Sequence, residues 1–256
     1  MRHVDRLSAL MSRFELRIAM CAPADANLLV LGNAATMDPR ALYLGEPGHA
    51  PERGAPDRDV LLSASVRWGQ PENPLFAALP SEVTHQLDDK ETRALVLLLL
   101  AEHDASRCGS ASILNRLFEV LFVRLMRVQI EKGNVRTGLL GGLSDPRLSR
   151  AIVAIHENPG RPWRVEALAE EAGLSLSRFA ELFRQSVGLT PLAYLRKWRL
   201  TLARQDIERG DRIQRVASRY GYGSSEALSR AVSGEYGTSP MEIRKAATAN
   251  NPGLVQ

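Results

Sequence analysis

The sequence predicts an α+β protein, in which a small β-rich unit and two helices precede an all-α domain of two helix pairs joined by one long helix. Three observations predict this class. Short apolar runs broken by turn residues fill the first half, two apolar stretches at helical spacing follow, and the C-terminal half repeats one helix–glycine–helix pattern. We expect an N-terminal domain over residues 1–131, a linker over 132–144, an all-α domain over 145–247 and a disordered tail over 248–256.

Charge is distributed unevenly between the two halves. Residues 1–144 carry 16 Lys and Arg against 17 Asp and Glu, whereas residues 145–256 carry 17 against 12. The net charges are therefore −1 and +5, so an acidic partner such as DNA would bind the second half. A solubilising surface is the alternative interpretation, because +5 is a modest charge.

Composition argues against several other classes of protein. The longest apolar run, Ala94–Ala101, is far shorter than the ~20 residues that a membrane span requires. The N-terminus carries Asp5 and Glu15 and has no signal-peptide core. Cys21 and Cys108 are the two cysteines, which fits a reducing cytosol. We therefore expect a cytoplasmic protein.

The first half is expected to hold a short helix and several strands. Residues 1–12 place their apolar side chains on one helical face, and the proline- and glycine-rich segment 45–56 predicts a loop. Alternating or continuous apolar runs predict the strands. They are expected at residues 14–18, 27–32, 41–44 and 60–66.

Two apolar helices are predicted next, at Glu91–Glu102 and Ile113–Ile130. The apolar face of the second is so wide that it needs two coverings, which the β-unit and the same helix of a second subunit can supply. Packing within one chain is an equally good explanation. The residues expected at a homodimer interface are Leu114, Leu117, Phe118, Leu121 and Leu125.

Glycines and turn formers without any period mark residues 131–142 as a flexible tether. The segment GLLGG at 138–142 resembles a phosphate loop only superficially, because it lacks the Gly-Lys-Ser/Thr ending.

The C-terminal half contains one pattern twice, over Val165–Gly188 and Ile213–Gly237. Each copy has a short amphipathic helix, a glycine, a polar turn and a second amphipathic helix. Small residues at equivalent positions, Ala169 and Ala217, allow the two helices of each pair to cross closely. A helix, a glycine-bearing turn and a second helix form a helix-turn-helix, whose second helix can enter the DNA major groove.

The outward residues near the start of each second helix are the candidates for base contacts. Arg178 can pair with guanine or with a phosphate, and Glu181 can accept from a cytosine amino group. For each residue, an ordinary solvated side chain is the alternative. The predicted DNA-contacting residues are Ser177, Arg178, Glu181 and Arg184 in the first copy, Ser224, Ser225, Glu226, Ser229 and Arg230 in the second, and Arg196 and Lys197 between them.

A long helix is predicted to join the two copies. Thr190 is its expected N-cap, Pro191 suits its first position, and it continues to about Glu208. Its ~19 residues span about 28 Å, which is close to the ~34 Å repeat of DNA. Arg199 and Arg204 are expected, like Arg196 and Lys197, to add phosphate contacts.

Residues 145–247 closely resemble the DNA-binding domain of the AraC/XylS family of bacterial transcription regulators. The sequence departs from the family at Leu228 and Val232, where an aromatic residue is usual. The residues that carry the resemblance are Ala169, Gly173, Ser175, Phe179, Leu182, Phe183, Gly188, Pro191, Tyr194, Arg199, Leu200, Ala203, Ile213, Val216, Ala217, Gly221, Tyr222, Arg230, Tyr236, Gly237, Pro240 and Arg244.

The N-terminal half resembles, more weakly, the cupin-type regulatory domain of one branch of this family. The resemblance rests on Leu7–Leu10, on the strand-like runs and on residues 73–80. The β-rich part between Cys21 and Trp68 is short for a complete barrel, so a reduced, cupin-like unit is expected.

The resemblance implies a sequence-specific transcription regulator whose N-terminal domain serves dimerisation, with effector sensing left open. Its implied partners are double-stranded promoter DNA, a second copy of the chain and RNA polymerase. One alternative is a regulator switched by oxidation of Cys21 and Cys108, and another is a protein-interaction module that binds DNA weakly. The five histidines are scattered and no GxSxG or HExxH motif is present, so no enzyme, metal or cofactor is expected.

Overall fold

A computed structural model of the chain describes residues 16–45, 59–68, 82–132 and 138–250. These residues separate into two compact units, of which one ends at Gly141 and the other begins at Gly142. The helix predicted over residues 1–12 lies outside the described residues, as do most of the loop predicted over 45–56 and residues 251–256 of the predicted tail.

The first unit is built on a five-stranded antiparallel sheet. The strand order is β1-β4-β2-β3-β5. The strands predicted from apolar runs are confirmed within a few residues, and β5 is a strand that the sequence interpretation missed. The strands are β1 (Leu16–Met20), β2 (Leu28–Asn33), β3 (Asp38–Leu44), β4 (Asp59–Trp68) and β5 (Val83–Gln86).

Strand β2 is apolar along almost its whole length because both of its faces are buried. Leu29 pairs with Tyr43 on one face, and these residues form a core cluster with Leu31. Val30 pairs with Leu42 on the opposite face. Strands buried on both faces have continuous apolar sequences rather than alternating ones.

Two helices complete this unit, α1 (Lys90–Ala105) and α2 (Ser110–Lys132). They pack on each other, α1 also contacts β3, and α2 also contacts β1. Asp89 caps α1 by accepting from the Thr92 N–H at 2.7 Å, and Arg124 of α2 donates to the same carboxylate at 3.2 Å. This ion pair joins the start of α1 to the middle of α2.

The apolar stripe of α2 belongs to the core of its own unit. Leu114, Phe118, Leu121 and Leu125 are at most 5% exposed in the single chain. The prediction that these four side chains form a homodimer interface is therefore wrong, because α1 and β1 pack against α2. Leu117, the fifth predicted residue, remains half-buried.

The predicted flexible tether contains a short helix, α3 (Leu139–Ser144). Leu139, Leu140 and Leu143 are buried. A Cβ at Gly142 would lie 2.6 Å from methyl groups of both Ile152 and Val187. Glycine here permits close packing rather than flexibility, so the prediction of a tether is wrong for this part, and residues 133–137 lie outside the description.

The described residues of the second unit form helices and the turns that connect them. Near its start, the Asp145 carboxylate accepts from the backbone N–H groups of Arg147 and Leu148 at 2.8 and 3.3 Å. The helix that follows begins at Leu148. The helices are α4 (Leu148–Glu157), α5 (Val165–Ala172), α6 (Leu176–Val187), α7 (Pro191–Glu208), α8 (Ile213–Arg219), α9 (Ser225–Tyr236) and α10 (Pro240–Asn250). Together with the sheet unit, they confirm the α+β class, and residues 248–250 of the predicted tail are helical.

Aromatic side chains form the core where α4, α6 and α7 meet. The Phe183 ring lies 5.7 Å from Tyr194 in an edge-to-face arrangement, and His156 lies 4.1 Å from Trp198. The Tyr194 hydroxyl hydrogen-bonds to Nε2 of the buried His156. These contacts hold the first helix pair on the long helix α7.

Candidate nucleic-acid interface

The two helix pairs share the same turn geometry. Gly173 and Gly221 both adopt left-handed conformations, with φ of 67° and 73°. In each copy the residue after the glycine donates its N–H to the carbonyl of the buried alanine, Ala169 or Ala217, at 3.0 and 2.8 Å. An L side chain is disfavoured at such a φ, which explains the glycine in each copy. The predicted sequence repeat is thus a repeat of backbone structure.

The first candidate recognition helix, α6, turns its charged residues outward. Phe179 and Phe183 are fully buried beneath it, whereas Ser177, Arg178 and Glu181 are exposed as predicted. Ser175 is the N-cap residue by backbone conformation, although its side chain makes no capping hydrogen bond.

Arg178 and Glu181 form an ion pair at 2.9 Å in which both side chains are about half exposed. Gln185 donates to Glu181 at 3.3 Å and extends this polar face by a further turn. The sequence interpretation missed Gln185, although its i+4 spacing from Glu181 could have indicated it. Arg184 is also exposed.

The second candidate recognition helix, α9, presents fewer exposed side chains for base contacts, because two of its serines are half-buried. Ser224 caps it by accepting from the Ala227 N–H at 3.1 Å. Ser229 donates to the Ser225 carbonyl at 2.8 Å and is half-buried, as is Ser225. Glu226 and Arg230 are exposed charged residues in the first half of this helix, and Glu235 is exposed near its end.

Glu226 is stabilised in its charged form. A hydrogen bond with the Ser224 side chain is the largest cause that lowers its pKa, and the positive charge of Arg230 acts in the same direction. The start of α9 therefore presents a carboxylate acceptor beside a guanidinium donor.

The connector α7 has the predicted bounds. Thr190 accepts from the Ala193 N–H at 3.3 Å, Pro191 occupies the first helical position and Glu208 is the last residue. Its 18 residues span about 27 Å at 1.5 Å per residue. Arg196 and Lys197 are exposed on it.

Arg199 and Arg204, in contrast, serve the fold. Arg199 donates to the carbonyls of Pro159 and Arg161 at 2.6 and 2.7 Å. Arg204 pairs with Glu208 at 2.9 Å, and its guanidinium lies 4.8 Å from the centre of the Tyr236 ring. The prediction that these two arginines contact phosphates is therefore wrong, because partners within the chain already hold their guanidinium groups.

The exposed groups of this unit can donate to phosphates and exchange hydrogen bonds with base edges. Arg164, Arg212 and Arg215 are exposed arginines that the sequence interpretation did not include.

No group of three His, Cys, Asp or Glu side chains among the described residues could hold a metal ion. None of the helices in this described part of the chain has the length and apolar character of a membrane-spanning segment.

The fold and this site define a protein with two helix-turn-helix motifs in tandem, and comparison with known proteins agrees. The family described as a helix-turn-helix domain matches residues 168–246, and the family described as a cupin matches residues 22–131. The HTH-type transcriptional regulator AlkR of Acinetobacter baylyi is 35% identical over 68% of this chain and 58% of its own length. A putative AraC-like transcription regulator of Streptomyces lividans is 33% identical over 73% of this chain and 54% of its own.

A crystal structure of an AraC-type transcriptional regulator from Chromobacterium violaceum is 27% identical, with a TM-score of 0.39, over 43% of this chain and 97% of its own. The chain belongs to the AraC/XylS family, as its C-terminal motifs predict, and its N-terminal resemblance to cupins is confirmed. It spans little more than half the length of the two curated relatives.

Proposed function

We propose that this chain is a sequence-specific DNA-binding transcription regulator that places α6 and α9 in two successive major-groove segments. One observation carries the proposal: two helix pairs with the same glycine turn and the same buried alanine lie on one 18-residue helix. A second helix with a polar outer face is the element that such motifs insert into the major groove. The names of the relatives, transcription regulators in both cases, agree with this function.

Arg178 and Glu181 are the proposed base-contacting residues of α6, together with Ser177. A bidentate contact between Arg178 and guanine is the strongest discrimination that this face offers. On α9, Glu226 and Arg230 take the equivalent roles. Ser224, Ser225 and Ser229 contribute hydroxyl groups next to them, already engaged in hydrogen bonds within the chain.

Arg184, Arg196 and Lys197 are the proposed phosphate contacts. They are exposed and lie on α6 and on the first half of α7. Phosphate contacts fix the position of a protein on the duplex and carry no direct sequence information.

The N-terminal unit is proposed to mediate homodimerisation through the exposed part of α2. Ile113 and Val120 are 45% and 50% exposed, and half-buried Leu117 lies between them at helical spacing. Val120→Glu should give monomers in sedimentation velocity. Dimers that persist in this variant would show that the interface does not include this part of α2. The same proposal places the protein in the cytoplasm. It includes a small-molecule effector that binds the cupin-type unit and RNA polymerase as a further partner.

The redox alternative has less support. Burial is the main cause that raises the pKa of the Cys21 thiol, and the nearby Asp25 carboxylate adds to it. Because the thiolate is the reactive form, a raised pKa disfavours oxidation of Cys21. Cys108 is exposed.

Selection of duplexes from a random-sequence library by the full chain tests the proposed function. We expect enrichment of two defined segments about one helical turn apart. Binding of the selected duplex should weaken steeply as salt rises, because phosphate contacts release counterions. Equal affinity for selected and unselected duplexes would instead favour the protein-interaction module.

A further inference from the structure

The second helix-turn-helix motif contacts the loop that precedes the first motif, so α7 is not the only connection between the two halves of the second unit. The loop before the first motif, residues 158–161, lies against the turn of the second motif, residues 219–221. Two side chains of α7, Arg199 and Asp206, hold these segments. We call this group of residues the inter-motif junction.

Backbone atoms meet at the centre of the junction. A Cβ at Gly160 would lie 2.2 Å from the carbonyl oxygen of Arg219, and a Cβ at Gly221 would lie 2.8 Å from the carbonyl oxygen of Gly160. Real Cβ atoms do not approach backbone oxygens so closely, so any larger residue at Gly160 must separate the loop from the turn.

Arg199 binds the loop side of the junction. Its Nε donates to the Pro159 carbonyl at 2.6 Å, and one terminal nitrogen donates to the Arg161 carbonyl at 2.7 Å. Its guanidinium also lies beside Gly221, within 3.2 Å of the position of a Cβ there. Desolvation lowers the pKa of Arg199, as expected for a guanidinium enclosed between two chain segments.

Asp206 binds the turn side. Asp206 lies seven residues after Arg199 on the same face of α7 and is only 7% exposed. Its carboxylate accepts from the Tyr220 hydroxyl at 2.7 Å and from the Arg219 guanidinium, which also donates to Asp211 at 2.7 Å. A buried carboxylate with two donors fixes the turn, because loss of Arg219 would leave the charge without its ion pair and loss of the Tyr220 hydroxyl would leave an acceptor without a hydrogen bond.

We propose that the inter-motif junction sets the separation of the two recognition helices, and thereby the spacing of half-sites that the protein accepts on DNA. This inference rests on the proposed function. One inserted base pair moves a half-site by about 3.4 Å and rotates it by about 35°. A rigid junction cannot follow that displacement, whereas a loosened one can.

The test uses the full chain and the duplex that it selects from the random library, remade with one base pair inserted or removed between the half-sites. The wild-type protein should bind the altered duplexes at least ~10-fold more weakly, because its two motifs can no longer bind at the same time. Gly160→Ala should reduce this discrimination to ~3-fold or less. Arg199→Lys, which can serve one of the two carbonyls, should act in the same direction. Duplexes with a single intact half-site should bind both variants as they bind the wild type.

Gly234→Ala is the matched control, because a Cβ at that helical glycine meets nothing within 4 Å. It should keep the wild-type discrimination. Unchanged discrimination in Gly160→Ala and Arg199→Lys would overturn the junction proposal. If the variants bound single half-sites as weakly as they bind the full duplex, relative to the wild type, the proposal would also be overturned, because the junction would then serve folding alone. A wild-type protein that selects no duplex would instead contradict the proposed function.

Discussion

Arg178, which we propose to contact a base, forms only a weak ion pair within the chain. Its ion pair with Glu181 is about half exposed on both sides. Such a pair at i, i+3 is worth only ~0.5 kcal/mol. A bidentate contact with guanine discriminates against a wrong base by ~1–3 kcal/mol, and so weak an ion pair does not prevent Arg178 from exchanging Glu181 for a base edge.

Arg178→Ala should therefore weaken binding by ~1–3 kcal/mol at one base-pair position and relax the sequence preference there. The measurement is the affinity for duplexes with single substitutions at each position. Arg116→Ala is the control, because Arg116 forms an exposed i, i+3 pair with Glu119 in the other unit. A loss of equal size for all duplexes would place Arg178 on a phosphate.

Lys197→Ala, unlike Arg178→Ala, should weaken binding without changing the sequence preference. Removing a phosphate-binding ammonium group from α7 weakens binding about equally for all sequences and reduces the slope of log affinity against log salt by ~1. Titrations of the selected duplex at several salt concentrations measure the slope. An unchanged slope would remove Lys197 from the proposed interface.

The contrast between Lys197 and Arg199 shows what residue spacing can and cannot predict. The sequence predicts phosphate contacts for both because both lie on a basic helix. The carbonyl groups that bind Arg199 belong to a loop 38 and 40 residues away in sequence. Local helical period carries no information about such partners, so this role required the tertiary structure.

At the scale of the element, α2 shows how the structure divides a wide apolar helix face into a buried part and an exposed part. The sequence correctly predicts the helix and its stripe but does not decide what covers them. Leu121 is fully buried, whereas its neighbour Val120 is half exposed. One residue along a helix changes direction by about 100°, which separates the core from the proposed dimer surface.

Leu121→Ala should lower the free energy of unfolding by ~2–5 kcal/mol, because it removes buried methyl groups and leaves a cavity. Val120→Ala, one residue away, should change it by less than ~1 kcal/mol. Denaturant unfolding of both variants measures the difference. Similar costs for the two substitutions would contradict the assignment of faces on α2.

Asp89 at the start of α1 should make stability depend on acid pH. Burial acts to raise its pKa, but hydrogen bonds from Thr92, His85 and Arg124 outweigh it and lower the pKa to about 2. Its contribution is therefore present above the unfolded pKa of ~3.9 and is lost as the pH falls towards about 2.

Asp89→Asn keeps the capping acceptor and removes the charge. It should lower the free energy of unfolding by about 1 kcal/mol at neutral pH, a modest amount because the side chain is about one-third exposed. The difference from the wild type should shrink as the pH falls from about 4 and vanish only below the folded pKa of about 2. A difference that stays constant down to that pH would show that the ion pair with Arg124 is energetically silent.

Some elements could be predicted because their signals are local. The caps of α7 and α9 and the glycine turns follow from the chemistry of one or two residues. Strand β5 has four residues and a buried histidine, too little for an apolar pattern. Helix α3 was missed because its glycines indicate a loop, and the packing that explains Gly142, against Ile152 and Val187, is visible only in the structure.

At the scale of the whole molecule, the charge asymmetry agrees with a division of labour between the two units. The half with a net charge of +5 carries the two helix-turn-helix motifs, and the half with −1 carries the sheet and the exposed apolar stripe of α2. Sequence alone predicts this organisation well, because motif repetition and charge are properties of the chain itself. The inter-motif junction was not predictable, since it depends on backbone contacts between distant segments.

Chemical-interference footprinting of the selected duplex in the major groove tests the central claim most directly. The wild-type chain should give two sensitive segments about one helical turn apart. Arg178→Ala should remove sensitivity from one segment and Arg230→Ala from the other. A single sensitive segment, or disappearance of the same segment in both variants, would contradict a protein that reads DNA with two recognition helices.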